Sequence, residues 1–343
     1  MEFILVKFAL VVLVFLLSLG VAAYTTFAER KVAAFLQDRI GPNRAGPFGL
    51  LQPIADGVKM FMKEEIIPTN ADKALFILGP SVMMMTACMT GVVIPWGDTL
   101  FINGTEYALQ ITDMNIGILY VFGVVSIGVY GIMIGGWASN NKYSLMGAIR
   151  ASSQMISYEL AMGMSIIALV MTTGTLSVRE IVEQQQGLGW NVFVQPLGFL
   201  LFIVCAFAEC NRTPFDLPEC ETELVGGYHT EYSSMKLGFY LFAEYINMFI
   251  SSAIISALYF GGYNFPFIDQ LDLPHNIITL LGTLVFFAKI FFFIFFFMWI
   301  RWTIPRFRYD QLMHLGWRIM IPLALVNIVL TAVFVLWKNG QLF

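Results

Sequence analysis

The sequence predicts an all-α integral membrane protein with eight transmembrane helices and both termini on the outer side. Three observations carry that reading. Of 343 residues, 58% are hydrophobic and only 12% charged, far from a soluble composition. The apolar residues fall in continuous runs, most of them near the roughly 20 residues a helix needs to cross a bilayer, without the alternation of a barrel strand. The lysines and arginines gather in alternate loops.

The first span, 3–25, is too long for the apolar core of a signal peptide and no A-x-A site follows it, so it reads as a retained helix. In the basic loop that follows, Leu51, Ile54, Val58 and Phe61 recur at helical spacing, with Asp56, Lys59, Lys63 and Glu64 on the other side. A helix over about 49–65 is expected to lie along the membrane surface, with Pro53 in its first turn. Spans at 74–96, 114–137 and 155–173 come next, then 192–207, the shortest. An acidic loop, 208–236, separates these from spans at 237–259, 277–300 and 315–337. No internal repeat divides the chain, which reads as a single polytopic domain.

Loop charge orients the bundle. One side holds Arg30, Lys31, Arg39, Arg44, Lys59, Lys63, Lys73, Lys142, Arg150, Arg212, Lys236, Arg301, Arg306, Arg308 and Arg318, and the other only Arg179 and Lys338. The basic set belongs in the cytoplasm. All seven tryptophans fall near span ends, as an interfacial belt requires.

The composition also excludes. Cys88, Cys205, Cys210 and Cys220 lack metal-ligand spacing, and His229, His275 and His314 lie far apart. Nothing resembles a zinc, haem or iron–sulfur ligand set, and no Gly-rich phosphate loop is present.

Acids carry the functional reading. Between positions 209 and 231 the chain crowds Glu209, Asp216, Glu219, Glu221, Glu223 and Glu231 around a single Arg212. Carboxylates pressed together beside a membrane raise one another's pKa and can exchange protons near neutral pH. Glu159 falls about one turn into the fourth span and Glu244 about two turns into the sixth. An ionisable group at such depth costs roughly 2.5–3.5 kcal/mol on insertion scales, so it should face the bundle interior. Lys289, midway along the seventh span, is expected to need an acidic partner. Static ion pairs are the competing explanation, against which stands the surplus of acids over nearby bases. Pro214 and Pro218 interrupt helix on either side of Asp216, and Gly226 and Gly227 offer a joint before His229.

Four segments resemble one family. ERKVAAFLQDRIGPNRAGPFGLLQPIADGVKMFMKE (29–64) is similar to the first cytoplasmic loop of the H-type membrane component of respiratory NADH:quinone oxidoreductase, complex I. RASSQMISYELAMG (150–163) resembles the start of its fourth span. AECNRTPFDLPECETELVGGYHTEYSSMKLGFYLFAEY (208–245) resembles its acidic loop and sixth span, and RWTIPRFRYDQLM (301–313) its last cytoplasmic loop. The likeness runs in order along essentially the whole chain.

The resemblance implies a subunit at the junction of membrane and peripheral arms, in the bacterial inner (plasma) membrane, or the mitochondrial inner membrane if organellar. It implies a quinone chamber open to lipid, bordered by Glu29, Arg30, Arg39, Asp56 and Lys59, with Arg212, Phe215 and Asp216 deeper. Glu159, Glu209, Glu219, Glu221, Glu223, Glu231 and Glu244 would form the inlet half of a proton path, and Arg301, Arg306 and Arg308 would dock the soluble arm. No residue of this chain would be a redox centre. Quinone would be substrate, while FMN, iron–sulfur clusters and NADH belong to partner subunits. Those partners would be the peripheral quinone-site and iron–sulfur subunits and the small membrane subunits leading to antiporter-like ones, with no nucleic acid. A homologous subunit of a hydrogenase or ferredoxin-linked complex, or an independent cation/proton carrier, are the alternatives.

Overall fold

A computed structural model describes residues 2–102, 104–187, 189–216, 224–266, 273–338 and 340. Helices dominate: α1 (Glu2–Leu36), α2 (Gln52–Met62), α3 (Lys73–Thr90), α4 (Gly117–Ala138), α5 (Lys142–Thr173), α6 (Val178–Gln184), α7 (Asn191–Val194) and α8 (Pro196–Glu209). Beyond the acidic loop come α9 (Ser234–Tyr259), α10 (His275–Thr303), α11 (Tyr309–His314) and α12 (Ile321–Lys338), the last two joined by a π-helical turn, Leu315–Met320.

Seven helices are long and apolar enough to cross a membrane, α11, the π turn and α12 together making the last, Tyr309–Lys338. The run at 192–207 differs from the expected span. It is the 14-residue α8, started by Pro196 after the separate turn of α7. The physical reason is local: Gln195 at the α7–α8 junction has a non-helical backbone and Pro196 has no N–H to continue the helix. Polar ends elsewhere are capped as their sequences dictate. Asp72 accepts from the Ala74 and Leu75 amides, Asn141 from Tyr143, and Gly174 ends α5 in the left-handed region at φ 74°.

The core lies where α3, α4, α5, α8 and α9 meet. Glycines bring α3 and α4 close: a Cβ at Gly131 would stand 2.9 Å from the Gly79 carbonyl. The outward faces of α1, α10 and α12 are apolar and exposed, as at Leu13, Leu284 and Leu330.

Three expectations change. Helix α3 stops at Thr90, not at 96, and Trp96 is buried against Phe249, Phe286 and Phe287, so it belongs to the core and not to an interfacial belt. Strands Thr99–Ile102 and Thr105–Ala108 pair antiparallel, pinned to α10 by reciprocal bonds between Phe101 and Asn276. Lys289 has no acidic partner among the described residues; its Nζ donates to the carbonyls of Phe260 (2.7 Å), Gly262 (2.8 Å) and Asn264 (2.6 Å) and faces the Trp190 ring. Carbonyls left over at the C-terminus of α9 serve where a carboxylate was expected.

Candidate functional site: a buried ion cluster between a lipid-facing groove and a lone glutamate

Glu29 sits late in α1, with its side chain buried. Its carboxylate receives Arg301 at 2.6 Å from the end of α10 and the Tyr245 hydroxyl at 2.8 Å from α9. Arg212, just past the end of α8, approaches Glu29 at 3.8 Å and Glu244 at 4.0 Å, with its guanidinium over the Tyr245 ring at 4.1 Å. Glu244 also accepts from the Tyr228 hydroxyl at 2.9 Å. Two carboxylates and two guanidiniums thus share one water-poor site, where geometry and added hydrogen bonds must offset desolvation.

The turn carrying Arg212 is held by Gln154, fully buried on α5, which donates to the carbonyls of Ala208 (3.1 Å) and Phe215 (2.8 Å). Phe215 is buried against Tyr158 and Phe307. Asp216, also buried, pairs with Arg306 at 2.9 Å. Burial pushes the neighbouring Cys210 thiol up to about 12.

Of the three arginines grouped for docking on the sequence, Arg301 and Arg306 therefore reach inward to Glu29 and Asp216, while Arg308 stays exposed beside Asp310. Arg30 and Lys59 both face Asp56, at 2.7 and 3.7 Å, and Arg39 is exposed after α1. Helix α2 covers 52–62 and leaves Ile54, Val58 and Phe61 exposed along its apolar side. Its end is tied to the start of α9: Ser234 donates to the Met60 carbonyl at 3.0 Å, and Lys236 pairs with Glu65.

Glu209 is different. It ends α8 buried, and its Oε2 has no hydrogen-bond partner among the described residues. It borders two small cavities and lies within electrostatic range of Glu159, which accepts from Ser126. No described lysine or arginine is within ion-pair distance of either carboxylate. Glu231 accepts from the Asn141 amide at 2.5 Å. Glu219, Glu221, Glu223 and Pro218 lie outside the described residues.

A large apolar groove of about 920 Å³ runs between α1, α3 and α9, from Val11 and Val92 at one end to Ala23, Phe61 and Phe242 at the other. Phe242 is three residues before Tyr245 and Ala23 six before Glu29, so the groove ends within roughly 10 Å of the ion cluster at 1.5 Å per helical residue.

With this geometry in place, similarity to other proteins decides the family. A family profile described as NADH dehydrogenase matches residues 8–332. The chain belongs to the NADH dehydrogenase family. Its similarity to other members is high over nearly full length. An H-type component of the NADH-quinone oxidoreductase of Cytophaga hutchinsonii, numbered 1 in that organism, is 73% identical over 335 residues, covering 98% of each chain. The corresponding component from Flavobacterium johnsoniae is 64% identical over 336 residues (97% of this chain, 96% of the other), and that of Thermomicrobium roseum 48% over 333 residues (94% of each). This member of the NADH dehydrogenase family is thus a multi-pass membrane protein in which Glu29, Arg212, Glu244 and Arg301 meet in one buried cluster.

Sequence reasoning missed Tyr245, Tyr228 and Gln154. Tyr245 is a polar side chain inside an apolar span, a detectable signal, but its partner Glu29 is 216 residues away; Tyr228, in the acidic loop, and Gln154, just before the fourth span, carry no such signal.

Proposed function

We propose that the chain is the H-type core membrane component of a proton-translocating NADH:quinone oxidoreductase. It crosses a bacterial inner membrane eight times as one polytopic domain, with α8 the short fifth span and both termini outside. Electrons arrive from partner subunits that carry NADH, FMN and iron–sulfur clusters; this chain shapes the quinone chamber and receives the consequence of quinone reduction.

The observation that carries the reading is the apolar groove ending beside a buried ion cluster. An isoprenoid tail is as apolar as lipid and partitions into such a groove without crossing water. Glu29, Arg30, Arg39, Asp56 and Lys59 border the passage, and Arg212, Phe215 and Asp216 lie deeper. Reduction of the head group takes up two protons and changes the charge near Arg212. Carboxylates coupled to that charge shift their protonation, with Glu244, Glu209 and Glu159 leading away and Glu219, Glu221, Glu223 and Glu231 in the adjoining loop. Arg308 remains for docking the peripheral arm.

The test uses the intact complex in liposomes. Glu209→Gln should abolish quinone-coupled proton transport and leave NADH oxidation by a soluble artificial acceptor untouched. Native coupling in that variant rejects the proton role of Glu209.

A further inference from the structure

Two cavities meet at Glu209, sharing also Ser251, Val125 and Ile254 in their walls. They differ in chemistry. The first, about 30 Å³, adds Thr86, Thr90 and Asn247. It has room for about two waters at roughly 10–15 Å³ each, and each can find several polar partners. The second, about 40 Å³, runs the other way, to Ile94 just past α3, Ile118 at the start of α4, Val178 at the start of α6 and Leu258 near the end of α9. Beyond Glu209 and Ser251 its walls are wholly apolar. It could hold water by size, but a water there lacks the two to four partners it needs. From Glu209 to Phe202, a wall residue seven positions back along α8, the gap is roughly 10 Å at 1.5 Å per residue. No hydrogen-bonded chain spans that distance without water.

The far end is closed by polar groups already spent on backbone. Gln185, nearly fully buried, donates to the carbonyls of Ile181 (3.1 Å) and Ala257 (3.0 Å) and accepts from the amides of Asn191 and Gly261, both at 3.1 Å. Its amide is therefore saturated. Asn191 donates to the Leu258 carbonyl at 2.9 Å, and the Lys289 ammonium holds its three carbonyls just beyond. That ammonium is a fixed cation at the closed end, where it also opposes an arriving proton.

We infer that the half of the bundle beyond Glu209 is an insulating seal, so that a proton held at Glu209 leaves through the polar cavity and never straight outward between α3, α4 and α9. The seal is dry by the composition of its walls, and the Gln185 and Asn191 amides at its outer end are engaged by backbone groups. It rests on the reading of Glu209 as a proton-carrying group.

The experiment measures passive proton conductance of liposomes carrying the whole complex at rest, under an imposed pH gradient with the potential clamped, together with protons moved per NADH. Ile118→Asn and Leu258→Asn should raise the leak severalfold and lower protons per NADH, while Ile118→Leu stays at the native value. Val121→Thr, which adds one hydroxyl at nearly constant shape, should leak measurably and serves where asparagine prevents assembly. Adding Glu209→Gln to Ile118→Asn should return the leak to background, because the inner end of the path is then lost. Unchanged conductance and stoichiometry in the assembled polar variants overturn the seal, as does a leak indifferent to Glu209→Gln. Failure of the underlying reading shows separately, as native coupling in Glu209→Gln alone.

Discussion

Glutamine in place of Glu29 removes one negative charge from the centre of the ion cluster and almost no volume. Arg301 contacts that carboxylate at 2.6 Å and Tyr245 at 2.8 Å, with Arg212 at 3.8 Å. Charges about 4 Å apart at an effective dielectric constant near 20 attract by roughly 4 kcal/mol. Breaking a buried pair by removing one partner costs roughly 3–5 kcal/mol, because the other charge stays desolvated. Arg301 is about one-fifth exposed and gains some water in return, and the glutamine oxygen can still accept from Tyr245. We therefore expect Glu29→Gln to destabilise the assembled complex by about 3 kcal/mol. The assay is a double-mutant cycle with Arg301→Gln, read as the denaturant midpoint for loss of the folded chain. The double variant should recover about 2 kcal/mol relative to the sum of the two singles. Strict additivity would refute the cluster as an interacting unit, and quinone reduction at its native rate in Glu29→Gln would separate the cluster from the chamber.

Cysteine reactivity tests the groove. Cys88 lines it, whereas Cys205 and Cys210 are buried, with the Cys210 thiol pushed up to about 12. A lipid-soluble maleimide should label Cys88 alone of these three at pH 7.5, and excess long-tailed quinone should protect it; peptide mass spectrometry reads the outcome, and indifference to quinone counts against the groove as its route. Gly135→Ala would drive a Cβ into the Tyr240 hydroxyl oxygen, so it should cost about 2 kcal/mol or more, partly relieved by Tyr240→Phe in the same thermal-stability assay because the Tyr232 hydroxyl still stands 2.9 Å away. Lys289→Met strips a charged donor from three carbonyls and should cost at least about 3 kcal/mol, measured by heat inactivation of the purified complex; a loss below roughly 0.5 kcal/mol would deny the ammonium its structural role.

Hydropathy made the long helices legible, because lipid removes every alternative to an internally bonded backbone. The amphipathic α2 was legible for a related reason, since Leu51, Ile54, Val58 and Phe61 repeat with the helical period. The structure departs where an outcome turns on remote partners. Trp96 sits at a span boundary in sequence yet is buried, since 249, 286 and 287 supply aromatic neighbours invisible to a local window. Lys289 called for a counter-ion, but the end of a helix supplies negative partial charge with no acidic residue to mark it. Strands 99–102 and 105–108 are eight paired residues in a loop too short to show a period.

The same remoteness changes what the acid surplus means. Around positions 209–231 the chain sets many carboxylates against one arginine, which suggests a uniform crowd of titrating groups. Folding brings Arg301 to Glu29 and Arg306 to Asp216, while Arg212 itself reaches Glu244, so each of these three carboxylates acquires a guanidinium. A carboxylate held by a guanidinium adds rigidity, and removing its charge leaves that guanidinium desolvated and unpaired. Glu209 and Glu159 acquire hydroxyl and apolar neighbours instead. The two sets should then respond oppositely to neutral amides. Asp216→Asn, like Glu29→Gln, strands an arginine and should weaken the fold by about 2 kcal/mol, discounted for the half-exposed Arg306. Glu209→Gln strands no basic partner and leaves a neutral amide in a largely apolar site, so stability should hold while coupled transport is lost. If Glu209→Gln destabilised the complex as much as Asp216→Asn does, Glu209 would be another structural anion, and the division between holding and carrying charge would fail.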